Sequence, residues 1–552
     1  MNFMVNESAQ KLRGGYYTPP DLAAYITRWT LGKNPKTLLE PSCGDGVFVQ
    51  GLSEVGFSGS LSFTGFEILE TEAAKTRDRC RKQTGLDWSI QGEDFLGWAI
   101  DRMLGRRVEF DAVVGNPPFI RYQYLPPESQ RKAEAIFKIL GLPFTRHTNA
   151  WVPFVLASIA LLKPGGRLGM IIPSEIIHVA HAQSLRTYLG TACSRLLIID
   201  PEEIWFDGTL QGAVILFAEK KISHSDHSHG LGIVRVSGRE FLSYDPANLF
   251  SDTTRMNGKT VEGKWTRALL TANERELLDV LQERPDVHRF DEIAEVDVGI
   301  VTGANKFFLV PDETVERFGL QAFAHPMFGR SEHCPGVIYD EQQHRENARV
   351  GNPTNFIWFK KDFAEPSKSV LEYIRLGEAQ ELHTRYKCRI RSPWYAVPSV
   401  YTTRIGMLKR SHDTPRLIYN RLDAFTTDTA YRINSTVSTP EKLIYCFLNA
   451  LTALSAELEG RHYGGGVLEL VPTEIEKLLV PIPGSIRPEI RKLDTLVRQS
   501  SVATVLEVQN ERILGAMGVP KSDQDALLGA WLRLKNRRQR LKTDEEVSQS
   551  QS

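Results

Sequence analysis

The feature that most constrains this chain is an apolar run that stops abruptly. Residues from Phe110 through Val114 read as a buried strand, which then meets Gly115-Asn116-Pro117-Pro118-Phe119. Proline fixes φ and has no N–H, so Pro117 and Pro118 end the strand and hold a stiff loop at its C-terminal edge. In open α/β sheets that edge is where ligands bind. An amino group on an aromatic ring is a poor nucleophile, because its lone pair is delocalised into the ring. Acceptors offered to both amino hydrogens, namely the Asn116 side-chain oxygen and a carbonyl of the Pro-Pro segment, would localise that pair. Phe119 would offer a π face to an extruded base. An isolated Asn-Pro-Pro is more simply a strand-ending turn, so the rest of the chain must decide.

Thr37-Leu38-Leu39-Glu40 reads as a strand, Pro41-Ser42-Cys43-Gly44-Asp45-Gly46 as a turn, and Val47, Phe48, Val49 and Leu52 as the start of a helix. Strand, glycine turn and helix together face backbone N–H groups towards a ligand. The turn is neither a GxGxxG phosphate loop nor a Walker loop. Its acids, Glu40 and Asp45, suit a cationic ligand, and S-adenosylmethionine, with a sulfonium and an ammonium, matches. Leu61 to Ile68 reads as the next strand and carries Glu67 near its end. An acid about twenty residues past such a turn holds ribose hydroxyls in dinucleotide folds, though a solvated strand-end acid is an equal reading. Asp94, in Gly92-Glu93-Asp94-Phe95-Leu96, is placed to accept from an adenine amino group. A helix over 149–162 and strands over 166–174, 195–200 and 212–218 complete an alternation that argues a mostly parallel α/β sheet. Before it all, Arg13 to Asp21 leads into a helix that Thr18 or Asp21 would cap.

At 552 residues the chain requires two or three domains. A hydrophobic content of 41% and a charged content of 24% are those of a soluble globular protein. No leader or bilayer-spanning apolar run is evident, and six scattered cysteines without a CxxC pair fit a reducing cytosol. Lys+Arg and Asp+Glu both total 67, so any polyanion site must be a local patch. The polar break at 221–230 marks the first boundary, and residues 223–289 read as a connecting segment. Its His224, His227 and His229 are adventitious surface histidines, and no metal site is expected. Over 290–485, cations and aromatics interleave at Arg385, Lys387, Arg389, Arg391 and Trp394, followed by Arg404, Lys409 and Arg410. Cations contact phosphates and aromatics wedge or stack, so this half reads as a DNA-binding surface. Residues 486–552 read as a helical basic tail, with Arg533, Lys535, Arg537, Arg538, Arg540 and Lys542 in a helix that frays into disorder.

In their order these pieces resemble the gamma group of DNA amino-methyltransferases, the adenine-N6 enzymes of bacterial restriction–modification systems. Tyr16-Tyr17-Thr18-Pro19-Pro20 resembles the family's methionine-binding motif, Glu40 to Gly46 its cofactor loop, Glu67 its ribose acid, and Asp94 its adenine-binding acid. Asn116-Pro117-Pro118-Phe119 resembles its catalytic tetrad, with Phe where Tyr is commoner. The resemblance places S-adenosylmethionine against Tyr17, Thr18, Pro19, Glu40, Ser42, Cys43, Gly44, Asp45, Gly46, Glu67, Ile68, Asp94, Phe95 and Asn116. It places the target base between Phe119 and a second aromatic in Ile204-Trp205-Phe206-Asp207, for which Phe206 is chosen over Trp205. It covers residues 13–219 by motif and 290–485 only generically. The implied fold is a class I methyltransferase domain over 1–222, Rossmann-like and mostly parallel, followed by a mixed α/β target-recognition domain. The implied activity is methylation of adenine N6 in double-stranded DNA by base flipping. Cytosine N4, an RNA base or a glutamine amide are alternative acceptors, and a non-catalytic DNA-binding specificity module is an alternative class. A motif that begins at Arg13 leaves no room for an N-terminal nuclease domain, so a cognate restriction endonuclease is expected as a separate cytoplasmic protein.

Overall fold

The strand alternation is realised in one eight-stranded sheet: β1 (Thr37–Glu40), β2 (Leu61–Phe66), β3 (Leu86–Gln91), β4 (Phe110–Gly115), β5 (Leu162–Pro173), β6 (Cys193–Pro201), β7 (Ala213–Lys220) and β8 (Leu231–Val236). The computed structural model describes residues 17–203, 205, 212–223, 225–256, 263–360, 367–463 and 465–539. Spatial order is β3-β2-β1-β4-β5-β7-β6-β8. Only β7 runs antiparallel, against β5 and β6; every other neighbouring pair is parallel. This is the mostly parallel, Rossmann-like α/β architecture expected.

Period-two patterning sends successive side chains to opposite faces. Leu39 and Val113 enter one hydrophobic cluster, with Phe95 and Trp151, while Leu38, Ala112 and Val114 enter another with Ile26 and Phe48. Helices α1 (Pro20–Leu31) and α2 (Val47–Glu54) cover the second face. Helices α4 (Phe95–Leu104) and α6 (Trp151–Leu161) cover the first; α3 (Glu70–Lys82) follows β2 and α5 (Pro127–Ile139) precedes α6. Helix α6 is apolar all round and buries Ser158 along with its hydrophobic residues, as a helix inside a core must.

Three expectations change. The segment 223–289 is not a connection. Leu231–Val236 adds β8 to the sheet in parallel with β6, helix Pro246–Asp252 buries Phe250, and the compact units divide between Leu269 and Leu270. Helix α1 has neither Thr18 nor Asp21 as its cap: Pro19 takes the cap position with no side-chain bond, which prolines at a helix entry allow. The basic tail, through Gln539, is the packed helix Lys521–Gln539; Arg533 pairs with Glu274 at 2.7 Å and Arg538 with Glu457 at 2.7 Å. Arg540 and Lys542 lie outside the described residues.

The second unit is mixed α/β, as expected for that half. Its five-stranded sheet runs Ala294–Val298, Ala430–Ser435, Ile405–Leu408, Leu417–Asn420, Ile338–Tyr339, and only the last pair is parallel. Phe307 and Phe308 lie in the short helix Asn305–Phe308 within an aromatic core with Phe318, Phe356 and Tyr373. Among the described residues, no helix is long and apolar enough to cross a membrane.

Candidate cofactor and catalytic site

The chain leaves β1 for β2 and β3 on one side, then returns as β4 on the other side of β1. Strand order therefore reverses between β1 and β4, and loops leaving their C-terminal ends flank one crevice, the usual ligand position in such sheets. The Pro41–Gly46 turn and the Asn116–Phe119 loop are those loops. They are joined directly: the Ser42 hydroxyl donates to the Asn116 carbonyl at 3.0 Å.

Glycine geometry shapes the first loop. Gly44 (φ +52°) and Gly46 (φ +84°) occupy the left-handed region. A Cβ on Gly46 would lie 3.0 Å from the Thr76 Cα, while the Thr76 hydroxyl donates to the Gly44 carbonyl at 2.7 Å. Glu67, at the end of β2, accepts from the Gly44 N–H at 3.1 Å and the Leu69 N–H at 2.9 Å. Each of its oxygens keeps a lone pair for a hydroxyl. Ile68 beside it is 68% exposed, an apolar surface at the rim.

Glu40 is 1% exposed, and burial pushes its carboxyl well above the usual carboxylate range, with Asp45 and Glu67 adding to the rise. Among the described residues its Oε2 is buried without a hydrogen-bond partner. An ammonium placed there would relieve both the repulsion and the orphaned acceptor, and a sulfonium the repulsion, so the site fits S-adenosylmethionine. The Cys43 N–H donates to the Phe66 carbonyl at 2.8 Å, and burial drives its thiol far up. Gly46→Ala should cost about 1–2 kcal/mol for the left-handed backbone, with more from the Thr76 contact, and weaken cofactor binding. Gly44→Ala, whose added carbon meets nothing within 4 Å, should cost less stability. Thermal denaturation and calorimetric titration of S-adenosylmethionine measure both; equal destabilisation by the two variants would refute the packing argument.

Asp94 caps α4, accepting from the Leu96 N–H at 3.2 Å, and pairs with Lys132 of α5 at 3.0 Å. Lys132 is a residue that sequence reasoning missed. Its local signal, a Glu128 four residues earlier, marks only a solvated helix face. The Phe95 ring packs in the core against Phe66 and Phe154, so only its backbone can serve a ligand. Tyr17 is 52% exposed, its hydroxyl donating to Glu72 at 3.2 Å.

Asn116 is half-buried, and its side-chain amide nitrogen donates to the hydroxyl of buried Thr18 at 3.2 Å. That bond commits the nitrogen and so sets the direction of Oδ1. Pro117 is buried, and Phe119 packs partly against both core clusters. Trp205 is 7% exposed and stacks on Phe241 at 5.9 Å, so its ring is spent in the core. Phe206 lies outside the described residues.

The basic–aromatic half sorts by tertiary partner. Arg391 donates to the carbonyls of Thr302 at 2.8 Å and Val301 at 2.6 Å, and Trp394 packs on Phe307 with its indole N–H donating to Glu378. Both are half-buried and carry packing contacts of the second unit. Lys409 and Arg410 share the buried Glu469 carboxylate. Arg385, Lys387, Arg389 and Arg404 are exposed, with Lys387 and Arg389 each 5.6 Å from the exposed Tyr386 ring.

Two family models match the chain: the Eco57I restriction-modification methylase over residues 60–205, and the C-terminal domain of Type II methyltransferase M.Eco57I over 262–514. Among curated relatives, Type II methyltransferase M.AccI of Acinetobacter calcoaceticus is 22% identical over 475 residues, covering 84% of each chain. M.BanIII of Aneurinibacillus aneurinilyticus is 27% identical over 237 residues, covering 39% of this chain and 40% of its own. M.BstVI of Geobacillus stearothermophilus is 24% identical, covering 57% of this chain and 63% of its own. Among solved structures, the type IIG restriction endonuclease BpuSI is 13% identical with a TM-score of 0.42, covering 96% of this chain and 67% of its own.

Proposed function

We propose that this chain, a relative of the Eco57I-type restriction–modification methyltransferases through both matched segments, transfers a methyl group from S-adenosylmethionine to adenine N6 in duplex DNA. The observation that carries the reading is the joining of Asn116-Pro117-Pro118-Phe119 to the acid-lined glycine turn across the β1/β4 reversal. The acceptor base would leave the helix and stack on Phe119, with Phe206 as its second face. Asn116 Oδ1 and the Pro117 carbonyl then accept from the amino group, turning its lone pair out of the ring plane.

Glu40 favours the cationic end of the cofactor, with Asp45, paired with Arg79 at 2.9 Å, beside it; Glu67 favours its ribose and Asp94 its adenine amino group. Bound there, S-adenosylmethionine supplies an electrophilic methyl on sulfur. The amino nitrogen held by Asn116 and Pro117 would take that methyl, the N–C bond forming as the S–C bond broke and the electron pair staying on sulfur. Asn116 and Pro117 oxygens stabilise the positive charge that develops on nitrogen, which then passes a proton to water. Positioning therefore supplies most of the rate. The second unit, with its exposed Arg385, Lys387, Arg389 and Arg404, is read as the target-recognition part, and a separately encoded endonuclease as the functional counterpart.

The test is methyl transfer from labelled S-adenosylmethionine to unmethylated genomic DNA, digested to nucleosides. N6-methyladenine is the expected product. Methylcytosine would move the acceptor and leave the mechanism. Cofactor binding without incorporation into DNA would overturn the DNA reading and turn the search to RNA or a glutamine amide.

A further inference from the structure

Between the Asn116 loop and α6 lies an insert, residues 120–149, of which only Lys132 has been tied to the site, through Asp94. It is tied down at each end. The Ala150 N–H donates to the Ile120 carbonyl at 2.8 Å, joining the residue after Phe119 to the start of α6. Gln130 of α5 donates to the carbonyls of Tyr122 at 3.2 Å and Leu125 at 3.0 Å. The Tyr122 ring meets Phe144 edge-on at 5.9 Å, and Phe144 meets Phe137 of α5 at 5.2 Å. The turn closed by Thr148 N–H on the Thr145 carbonyl carries Arg146 and runs directly into Asn149-Ala150. Two cations, Arg121 and Arg146, are thus presented from braced backbone on either side of the Ile120–Ala150 bond.

Both are exposed, and among the described residues neither has a carboxylate partner. Elsewhere in the same unit Arg77, Arg79 and Arg102 each sit on an acid, while Arg28, Arg106 and Arg131 are exposed without one among the described residues; Arg121 and Arg146 differ from these in flanking the bond that closes the Phe119 loop. Arg121 follows Phe119 by two residues, so their Cα atoms lie at most about 7 Å apart. A base stacked on Phe119 brings its own sugar and phosphates to that distance.

We propose that Arg121 and Arg146 form a phosphate grip on the DNA strand that carries the extruded nucleotide. The inference rests on the DNA reading above and adds a backbone contact within the catalytic unit itself. Such a grip holds the strand in register while the base turns out, which contacts from a recognition domain alone would leave to the duplex. The guanidinium fork suits a phosphate bidentately, and unpaired arginines enter that contact without first breaking an ion pair.

The experiment measures duplex DNA affinity across a salt series for wild type, Arg121→Ala, Arg146→Ala and the double variant. Thermal midpoint and S-adenosylmethionine affinity are followed as controls. Each lost phosphate contact should lower the slope of log affinity against log salt by about 0.9 and weaken binding roughly tenfold at 0.1 M salt. Arg121→Lys, which keeps the charge, should keep the slope. An unchanged slope in a double variant of a DNA-methylating wild type overturns the grip alone. A wild type that takes cofactor but binds no DNA overturns the grip together with the functional reading.

Discussion

Asn116→Ala is expected to bind S-adenosylmethionine within about twofold of wild type and to transfer methyl roughly 10²–10³-fold more slowly, the size of effect seen when one preorganised transition-state partner is removed. The substitution leaves the backbone, and with it the Ser42 bond to the Asn116 carbonyl, so the cofactor turn keeps its anchor. What it removes is an acceptor whose direction the Thr18 hydroxyl sets. Thr18→Val should therefore lower turnover more than cofactor affinity, because it removes the hydroxyl that the amide nitrogen donates to. Single-turnover rates beside calorimetric cofactor titration separate the two effects. A parallel collapse of cofactor affinity in Asn116→Ala would show that the side chain builds the cofactor site rather than orienting the acceptor amine.

The second large effect lies far from chemistry. Arg538→Met should destabilise the second unit by about 3–5 kcal/mol, the cost of breaking a buried ion pair from one side. Both side chains are fully buried; Arg538 reaches both Glu457 oxygens and donates to the carbonyls of His412, Asp413 and Gly466. Burial pushes the Glu457 carboxyl up, with Arg538 opposing the shift. Without the arginine that carboxyl rises further, and the folded variant holds a proton that the unfolded chain releases. Stability of the variant should then fall as pH rises from the ordinary carboxylate range up to its own raised value. Because wild-type Glu457 is raised too, the urea-midpoint gap opens above the wild-type value and narrows as pH is lowered. Arg538→Met combined with Glu457→Gln should recover part of the loss. A gap below about 1 kcal/mol at neutral pH, the size of a surface pair, would mean that the pair is dispensable.

Much of the site was legible because its chemistry is local. Gly44 and Gly46 mark positive φ, Pro117 and Pro118 mark a strand end, and an apolar run before each marks the strand that delivers it. Glu40, Glu67 and Asp94 follow from being acids at successive strand ends. What failed was of another kind. β8 was passed over because six residues with intermediate patterning and a polar approach signal no partner until β6 supplies one. Lys132 was missed because its bond to Asp94 joins separate helices.

The sequence by itself therefore determined the α/β alternation, the cofactor turn, and the Asn-Pro-Pro-Phe loop with its place at a strand's C-terminal edge. Backbone restriction by glycine and proline, and period-two burial, act within a few residues and can be read there. Only the tertiary structure decided which cations remain available. Arg391 donates to carbonyls of Val301 and Thr302 and Arg538 is buried on Glu457, while Arg410 stays largely exposed beside Glu469 and Arg121 and Arg146 stay without acids among the described residues. A charge is neutralised by whatever folds against it, and those partners lie tens of residues away in the chain.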